Sequence, residues 1–346
     1  MLDILQDWAS GSEPKPHQLE HLTNLALADS SRMKAFDLDP AHASTYIHQQ
    51  SNLFCSVCRA DIQLPQLPGW ERLLWQLWLP LTTQLIDLYR LLGRPLIQGI
   101  LGGQGTGKTT LSQALSSLLS FQGYRAVSLS IDDLYKSYKE REYLRQIDPR
   151  LVWRGPPGTH DIETGLQVLQ QLKQAQSGDL IAIPRFDKSL WQGAGDRVEP
   201  EIVSPGDIVL FEGWFVGCRP IDSIKFEAAP APIVTEADQR FAYDMNSALQ
   251  AYLPLWEMLD QLIVLNPVDY RLSKQWRKQA EQEMIRQGKL GMTDLEIEQF
   301  VDYFWKALHP ELFILPLTQN TQITNLVIEI NADHSISKIY RPNLNQ

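Results

Sequence analysis

At 346 residues, with 44% hydrophobic and 21% charged side chains, the chain is a soluble globule with ample core, larger than one typical domain. A net charge of −10 is the wrong sign for a nucleic-acid binder, whose surface is usually basic. Three cysteines cannot build a disulfide framework, so the expected compartment is a reducing cytoplasm.

The first eight residues carry acid and no basic stretch, which predicts neither a signal peptide nor an Arg-rich transit peptide. Residues 1–92 read as a helical extension. Leu19, Leu22, Leu25 and Leu27 lie in one helical pattern, and residues 41–58 form a second. Cys55 and Cys58 are spaced as half a zinc site or a redox pair, but also as ordinary buried thiols, since no second Cys-x-x-Cys accompanies them. A Pro-rich turn at 65–69 precedes a long amphipathic helix over 70–92. There Glu71, Arg72, Gln76, Gln84, Asp87 and Arg90 interrupt the Leu and Trp residues, so the segment is no membrane span. Gly93-Arg94-Pro95 ends it.

From residue 93 to 346 strands and helices alternate. Residues 95–101 read as a buried strand, 110–120 as a helix, 125–131 as a strand, 164–177 as a helix, and 206–212 and 261–266 as strands. That order predicts an α/β fold: a mostly parallel sheet with helices on both faces.

Between the first strand and the first helix stands Gly102-Gly103-Gln104-Gly105-Thr106-Gly107-Lys108-Thr109. It matches the phosphate-binding loop G-x-x-x-x-G-K-[ST] at every fixed position. Its glycines let the backbone curl so that several N–H groups point inward as a nest for phosphate oxygens. The helix beginning beside Thr110 adds its positive end. Lys108 reaches the β- and γ-phosphates of a nucleoside triphosphate, and the Thr109 hydroxyl binds Mg²⁺. In open α/β sheets the ligand crevice lies at the carboxyl ends of the strands, where Asp132, Asp133 and Glu212 also fall. Asp132 is the expected base for a phosphoryl acceptor, and Glu212, with Asp132, a metal ligand. Turn or cap chemistry is the alternative for the Asp pair, and a loop-edge carboxylate for Glu212.

Two Gly- and Pro-rich stretches read as loops between strands, residues 153–161 and 184–197. Arg154, Arg185 and Arg197, with Lys188 beside them, suit an anionic substrate, because guanidinium groups bind carboxylate or phosphate oxygens in a planar fork. Taken singly, each also fits a surface ion pair. His160 beside Asp161 either orients substrate or stabilises its loop.

These blocks stand in the order found in one kinase group. The phosphate loop, Ser130-Ile131-Asp132-Asp133-Leu134-Tyr135, Gly155-Pro156-Pro157-Gly158-Thr159-His160-Asp161, Pro184-Arg185-Phe186-Asp187-Lys188-Ser189 with Gly195-Asp196-Arg197, and Phe211-Glu212-Gly213-Trp214 resemble the plant and cyanobacterial D-glycerate 3-kinases. Those are similar in turn to uridine kinase, phosphoribulokinase and pantothenate kinase. Trp276-Arg277, Gln279, Glu281 and Gly288-Lys289-Leu290-Gly291-Met292 extend the resemblance, which covers about residues 95–315. It implies ATP-dependent phosphorylation of D-glycerate at its 3-hydroxyl, with Asp132 as the catalytic carboxylate. It also implies a mobile helical lid over residues 271–291. Arg277 on that lid either supplies charge to the migrating phosphoryl group or is a solvated helix residue. The alternatives are a kinase for a nucleoside, pantothenate or a sugar phosphate, and a nucleotide-hydrolysing switch protein. No guanine-reading Asn/Thr-Lys-x-Asp motif is evident. The sequence carries no signal of oligomeric state.

Overall fold

The computed structural model describes residues 1–286 and 291–343. Short apolar runs that cannot satisfy their backbone groups alone pair into a six-stranded sheet of order β2-β5-β1-β6-β7-β8. Its strands are β1 (Leu96–Gly102), β2 (Ala126–Ser130), β5 (Ile208–Gly213), β6 (Gln261–Pro267), β7 (Leu326–Ile330) and β8 (Ile336–Tyr340). All neighbours are parallel except β7 and β8. Every residue of β1 is buried, as befits a central strand covered on both faces. Alternate residues serve opposite cores. Leu96 and Ile100 join one apolar cluster, Ile97 and Leu101 the other.

The expected strands and the helix after the phosphate loop, α7 (Lys108–Phe121), are present. Residues 184–197 are a loop only over 188–195, the tip of a hairpin. Ile181–Asp187 is strand β3 and Asp196–Val203 is strand β4, paired as an antiparallel hairpin outside the main sheet. Arg185 and Arg197 therefore project from strands. Strand β4 is charged and largely exposed, so it lacks the apolar alternation by which a strand is recognised, and only its backbone ladder to β3 defines it.

The N-terminal region is helical: α1 (Leu2–Ala9), α2 (Pro16–Ala28), α3 (Ser30–Ala35), α4 (Ala43–Arg59), α5 (Trp70–Leu73) and α6 (Leu79–Leu92). On α2 the buried stripe is Gln18, Leu19, Leu22 and Ala26, and Leu25 and Leu27 face outward. The long helix expected over 70–92 contains a π-helical turn at Leu74–Trp78. Pro80 explains it. With no N–H to donate and a ring that crowds the preceding turn, it requires a wider winding. Leu79 N–H donates to Leu74 O, and the Trp75 carbonyl is claimed instead by the buried Gln50 amide at 2.5 Å. Trp8, Phe54 and Trp75 pack edge to face at 5.8–6.2 Å. They belong to the same apolar cluster as Leu96, Leu115 and Leu118, so the extension and one sheet face share a core. Cys55, Cys58 and Cys218 are free thiols, all pushed up by burial, Cys58 to about 12. Among the described residues no helix is long and apolar enough to cross a membrane.

Candidate active site

The loop from β1 to α7 is built by conformations that only glycine adopts readily. Gly105 and Gly107 have φ of 77° and 86°. A Cβ on Gly105 would stand 2.6 Å from Cβ of Trp276, which belongs to α12 (Leu272–Arg286). The Thr106 hydroxyl donates to Gly103 O at 2.9 Å and Lys108 Nζ donates to the same carbonyl at 3.0 Å, so the lysine curls over the loop. Burial pulls the Lys108 ammonium below its ordinary range, against the pull of the Glu212 and Asp132 carboxylates.

Strands β5 and β2 lie beside β1 in register, which brings their carboxyl ends to the loop. Glu212, at the end of β5, accepts from the Thr109 hydroxyl at 3.1 Å. Burial pushes its carboxyl up, while Lys108 and the Thr109 hydroxyl hold it down; the net shift is upward. Asp132 sits in a short 3-10 turn after β2, fixed by reciprocal bonds. Asp132 N–H donates to Ser130 Oγ and Ser130 N–H donates to Asp133 Oδ2. Asp132 accepts from the Tyr135 hydroxyl at 2.7 Å and from Lys188 Nζ at 2.6 Å. Burial raises its carboxyl, but Lys188, Tyr135 and the neighbouring His160 outweigh it, and the group stays below the ordinary carboxylate range.

A cleft of about 1040 Å³ opens over these groups. Gln104, Gly105, Lys108, Thr109, Asp132, Glu212, Arg154, Lys188 and Arg277 all line it. Gly103 lines a smaller apolar recess that shares Gln104 and Trp214 with it, while Gly102, Thr106, Gly107 and Thr110 do not line the cleft. Arg277 is ion-paired with Glu281 at 2.9 Å and rests over the Phe300 ring at 5.5 Å. Of the segment expected as a lid, residues 287–290 lie outside the described residues.

Of the remaining substrate candidates, His160, Asp161 and Arg197 do not line the cleft, and Arg185 lines an adjoining pocket that shares Thr109 and Glu212 with it. Arg185 is spent on Asp133 at 2.9 Å and Glu201 at 2.7 Å. Arg197 donates to the Tyr135 carbonyl at 2.8 Å and to Asp161 at 2.9 Å. Asp161 also caps α9 (Ile162–Gln174) through Thr164. His160 is buried, 2.7 Å from the Tyr252 hydroxyl and stacked on Tyr135 at 4.7 Å. Desolvation holds its imidazole neutral, with the pKa lowered to about 3. All four brace the segment carrying Asp132 and Tyr135 through the partners just named. Sequence reading overlooked Arg141, on α8 (Tyr138–Ile147), which does line the cleft. Nothing in the sequence separates it from Lys139, Glu140, Glu142 and Arg145 on the same charged helix.

A phosphate loop, a hydroxyl–carboxylate pair and a held carboxylate at the ends of adjacent parallel strands define a P-loop kinase. The comparisons specify the group. No family model matches the chain. It is 33% identical over 231 residues to the chloroplastic D-glycerate 3-kinase of Arabidopsis thaliana, a match covering 63% of this chain and 49% of that protein. It is 31% identical over 220 residues to the uncharacterized kinase mug58 of Schizosaccharomyces pombe, covering 61% of this chain and 79% of the relative. The solved D-glycerate 3-kinase of Cryptococcus neoformans var. grubii superposes with a TM-score of 0.67 at 28% identity, covering 75% of this chain and 96% of that one. The chain spans about half the length of the Arabidopsis protein. It belongs to the family of ATP-dependent P-loop kinases that contains these D-glycerate 3-kinases.

Proposed function

We propose that this protein transfers the γ-phosphoryl group of ATP to the 3-hydroxyl of D-glycerate, giving 3-phosphoglycerate and ADP in the cytoplasm. The observation that carries the reading is the convergence of the phosphate nest, the Thr109–Glu212 pair and Asp132 on one cleft. The names of the Arabidopsis and Cryptococcus relatives supply the acceptor.

The loop amides and Lys108 hold the β- and γ-phosphates. The Thr109 hydroxyl and the Glu212 carboxylate, 3.1 Å apart, are the hard oxygen donors that suit Mg²⁺, which takes one or two protein ligands and completes its shell with phosphate oxygens and water. When bound, that ion offsets the negative charge of the phosphates. Asp132 already accepts two hydrogen bonds, so it serves as proton acceptor and orienting group and leaves the cation to Thr109 and Glu212. Being held below the usual carboxylate range, it is ionised at neutral pH but weakly basic. That matches a loose transition state, in which positioning counts for more than proton abstraction. Lys188 and Arg277, both lining the cleft, add positive charge to it.

Phosphorus NMR of the product made from D-glycerate, ATP and Mg²⁺ tests the proposal. A single new resonance at 3-phosphoglycerate, with stoichiometric ADP, is expected. Turnover of uridine or pantothenate in place of glycerate, or ATP hydrolysis indifferent to any acceptor, rejects it.

A further inference from the structure

Three of the six cations that line the cleft are matched by a carboxylate, and a fourth, Lys108, is curled over the phosphate loop onto Gly103 O. Lys188 pairs with Asp132, Arg277 with Glu281 and Arg145 with Glu142. Arg141 and Arg154 are different: among the described residues neither has a carboxylate within ion-pair distance. They meet on neutral carbonyls. Arg154 Nη1 donates to Gly193 O at 2.7 Å and to Ala194 O at 3.0 Å. Arg141 Nη2 donates to the same Ala194 O at 2.7 Å and to Gly195 O at 2.6 Å, and its Nη1 donates to Lys136 O. Sharing one acceptor makes the two guanidiniums close neighbours of like charge. Burial and the nearby Arg154 charge both disfavour the Arg141 cation, and an incoming anion relieves both.

The planes of both guanidiniums are fixed. Each lies over the Phe186 ring, Arg141 at 5.0 Å and Arg154 at 5.6 Å. Arg154 also lies 5.9 Å from the centre of the Tyr135 ring, whose hydroxyl donates to Asp132. One tyrosine ring thus separates the cationic pair from the carboxylate that meets the acceptor hydroxyl. Among the described residues, Nε and Nη2 of Arg154 and Nε of Arg141 make no hydrogen bond and remain available as donors.

Building on the reading of this cleft as an acceptor kinase, we infer that Arg141 and Arg154 jointly bind the carboxylate of the acceptor, so that the enzyme selects a hydroxy acid over a neutral polyol. Arg141 is a specificity-determining residue. The β3–β4 hairpin tip, through its Gly193, Ala194 and Gly195 carbonyls, is the bracket that aims both arginines into the cleft.

Wild-type enzyme is first assayed on D-glycerate, glycerol and a panel of other anionic alcohols, then compared with Arg141→Gln and Arg141→Lys. Arg141→Gln should raise the KM for D-glycerate about 30-fold or more, since truncating one partner of a buried charge pair carries losses of that size. The KM for ATP should stay within about twofold, and the glycerate-over-glycerol ratio of kcat/KM should fall with the loss, because glycerol has no carboxylate to release. The rise in melting temperature given by D-glycerate without ATP should disappear in the same variant. Arg141→Lys keeps a donor for the hairpin but not the fork, and should lose part of the preference. It carries the test if Arg141→Gln does not fold. An unchanged KM and acceptor ratio in a variant with a normal ATP KM, or a rise confined to ATP, overturns the inference. If the wild type takes another anionic acceptor and not glycerate, the glycerate assignment fails while the arginine pair is judged on that acceptor. Equal turnover of glycerol by the wild type rejects the pair.

Discussion

Asp132→Asn separates catalysis from binding at this site. The carboxylate accepts from Tyr135 at 2.7 Å and from Lys188 at 2.6 Å. Asparagine keeps the shape and one acceptor oxygen for Tyr135. It cannot take a proton, and it can turn an amide N–H₂ toward the Lys188 ammonium. Losing the carboxylate that both orients the acceptor hydroxyl and takes its proton should cost about 10²–10⁴ in kcat, or about 3–5.5 kcal/mol of barrier. The cost to the fold is far smaller. The Lys188 side chain is 60% exposed, so water screens the ion pair and its loss costs at most about 1 kcal/mol. The nucleotide grip keeps its hydrogen bonds, because Lys108 and the loop bond to Gly103 O and feel Asp132 only through its charge. A coupled ADP-release assay with D-glycerate, run beside a separate titration of ATP binding and a thermal melt, resolves the three quantities. The expected pattern is a lost kcat with ATP affinity within about threefold and little change in Tm. A kcat within tenfold of wild type refutes the assignment of Asp132, and so does a loss of kcat that simply follows a loss of ATP affinity.

Three further outcomes test the geometry. Gly105→Ala should weaken ATP binding at least about tenfold, because φ is 77° there and the added Cβ would press on Trp276; an unaltered ATP Kd contradicts that packing. Glu212→Gln should raise the Mg²⁺ concentration for half-maximal rate at least about tenfold while metal-free ATP binding persists, and an identical Mg²⁺ dependence would remove Glu212 from the metal site. Buried His160, lowered to about 3 from 6.5, refuses a proton that the unfolded chain accepts, so its contribution is present above pH 6.5 and lost as pH falls toward 3. The loss approaches about 5 kcal/mol as an upper bound, and His160→Gln should flatten stability against pH between 6.5 and 4 in urea titrations. Parallel pH slopes for the two proteins exclude this source of acid lability.

What could be read from the sequence was whatever a contiguous stretch of chain decides by itself. The phosphate loop is eight neighbouring residues whose conformation follows from glycine and whose charge follows from Lys108. The strand feeding Glu212 announces itself by an unbroken apolar run, and the strand feeding Asp132 by Val127 and Leu129 alternating with serines. The two-carboxylate crevice was legible for the same reason, since strand ends in a parallel sheet have a common destination. The arginines were a different matter. Arg185 and Arg197 stand in motifs that suggest an anion site, yet their guanidiniums are taken up by Asp133, Glu201, Asp161 and the carbonyls of Ser128 and Tyr135. Arg141 has no distinguishing neighbour in the chain, yet it reaches the cleft. A long side chain chooses its partner among groups far away in sequence, by distance, burial and competing charge. Only the packed hairpin, with a strand too charged to betray itself, determined which cations stayed unmatched in the opening. The composition of the site was therefore a local property of the chain, and the wiring of its charges a property of the tertiary structure.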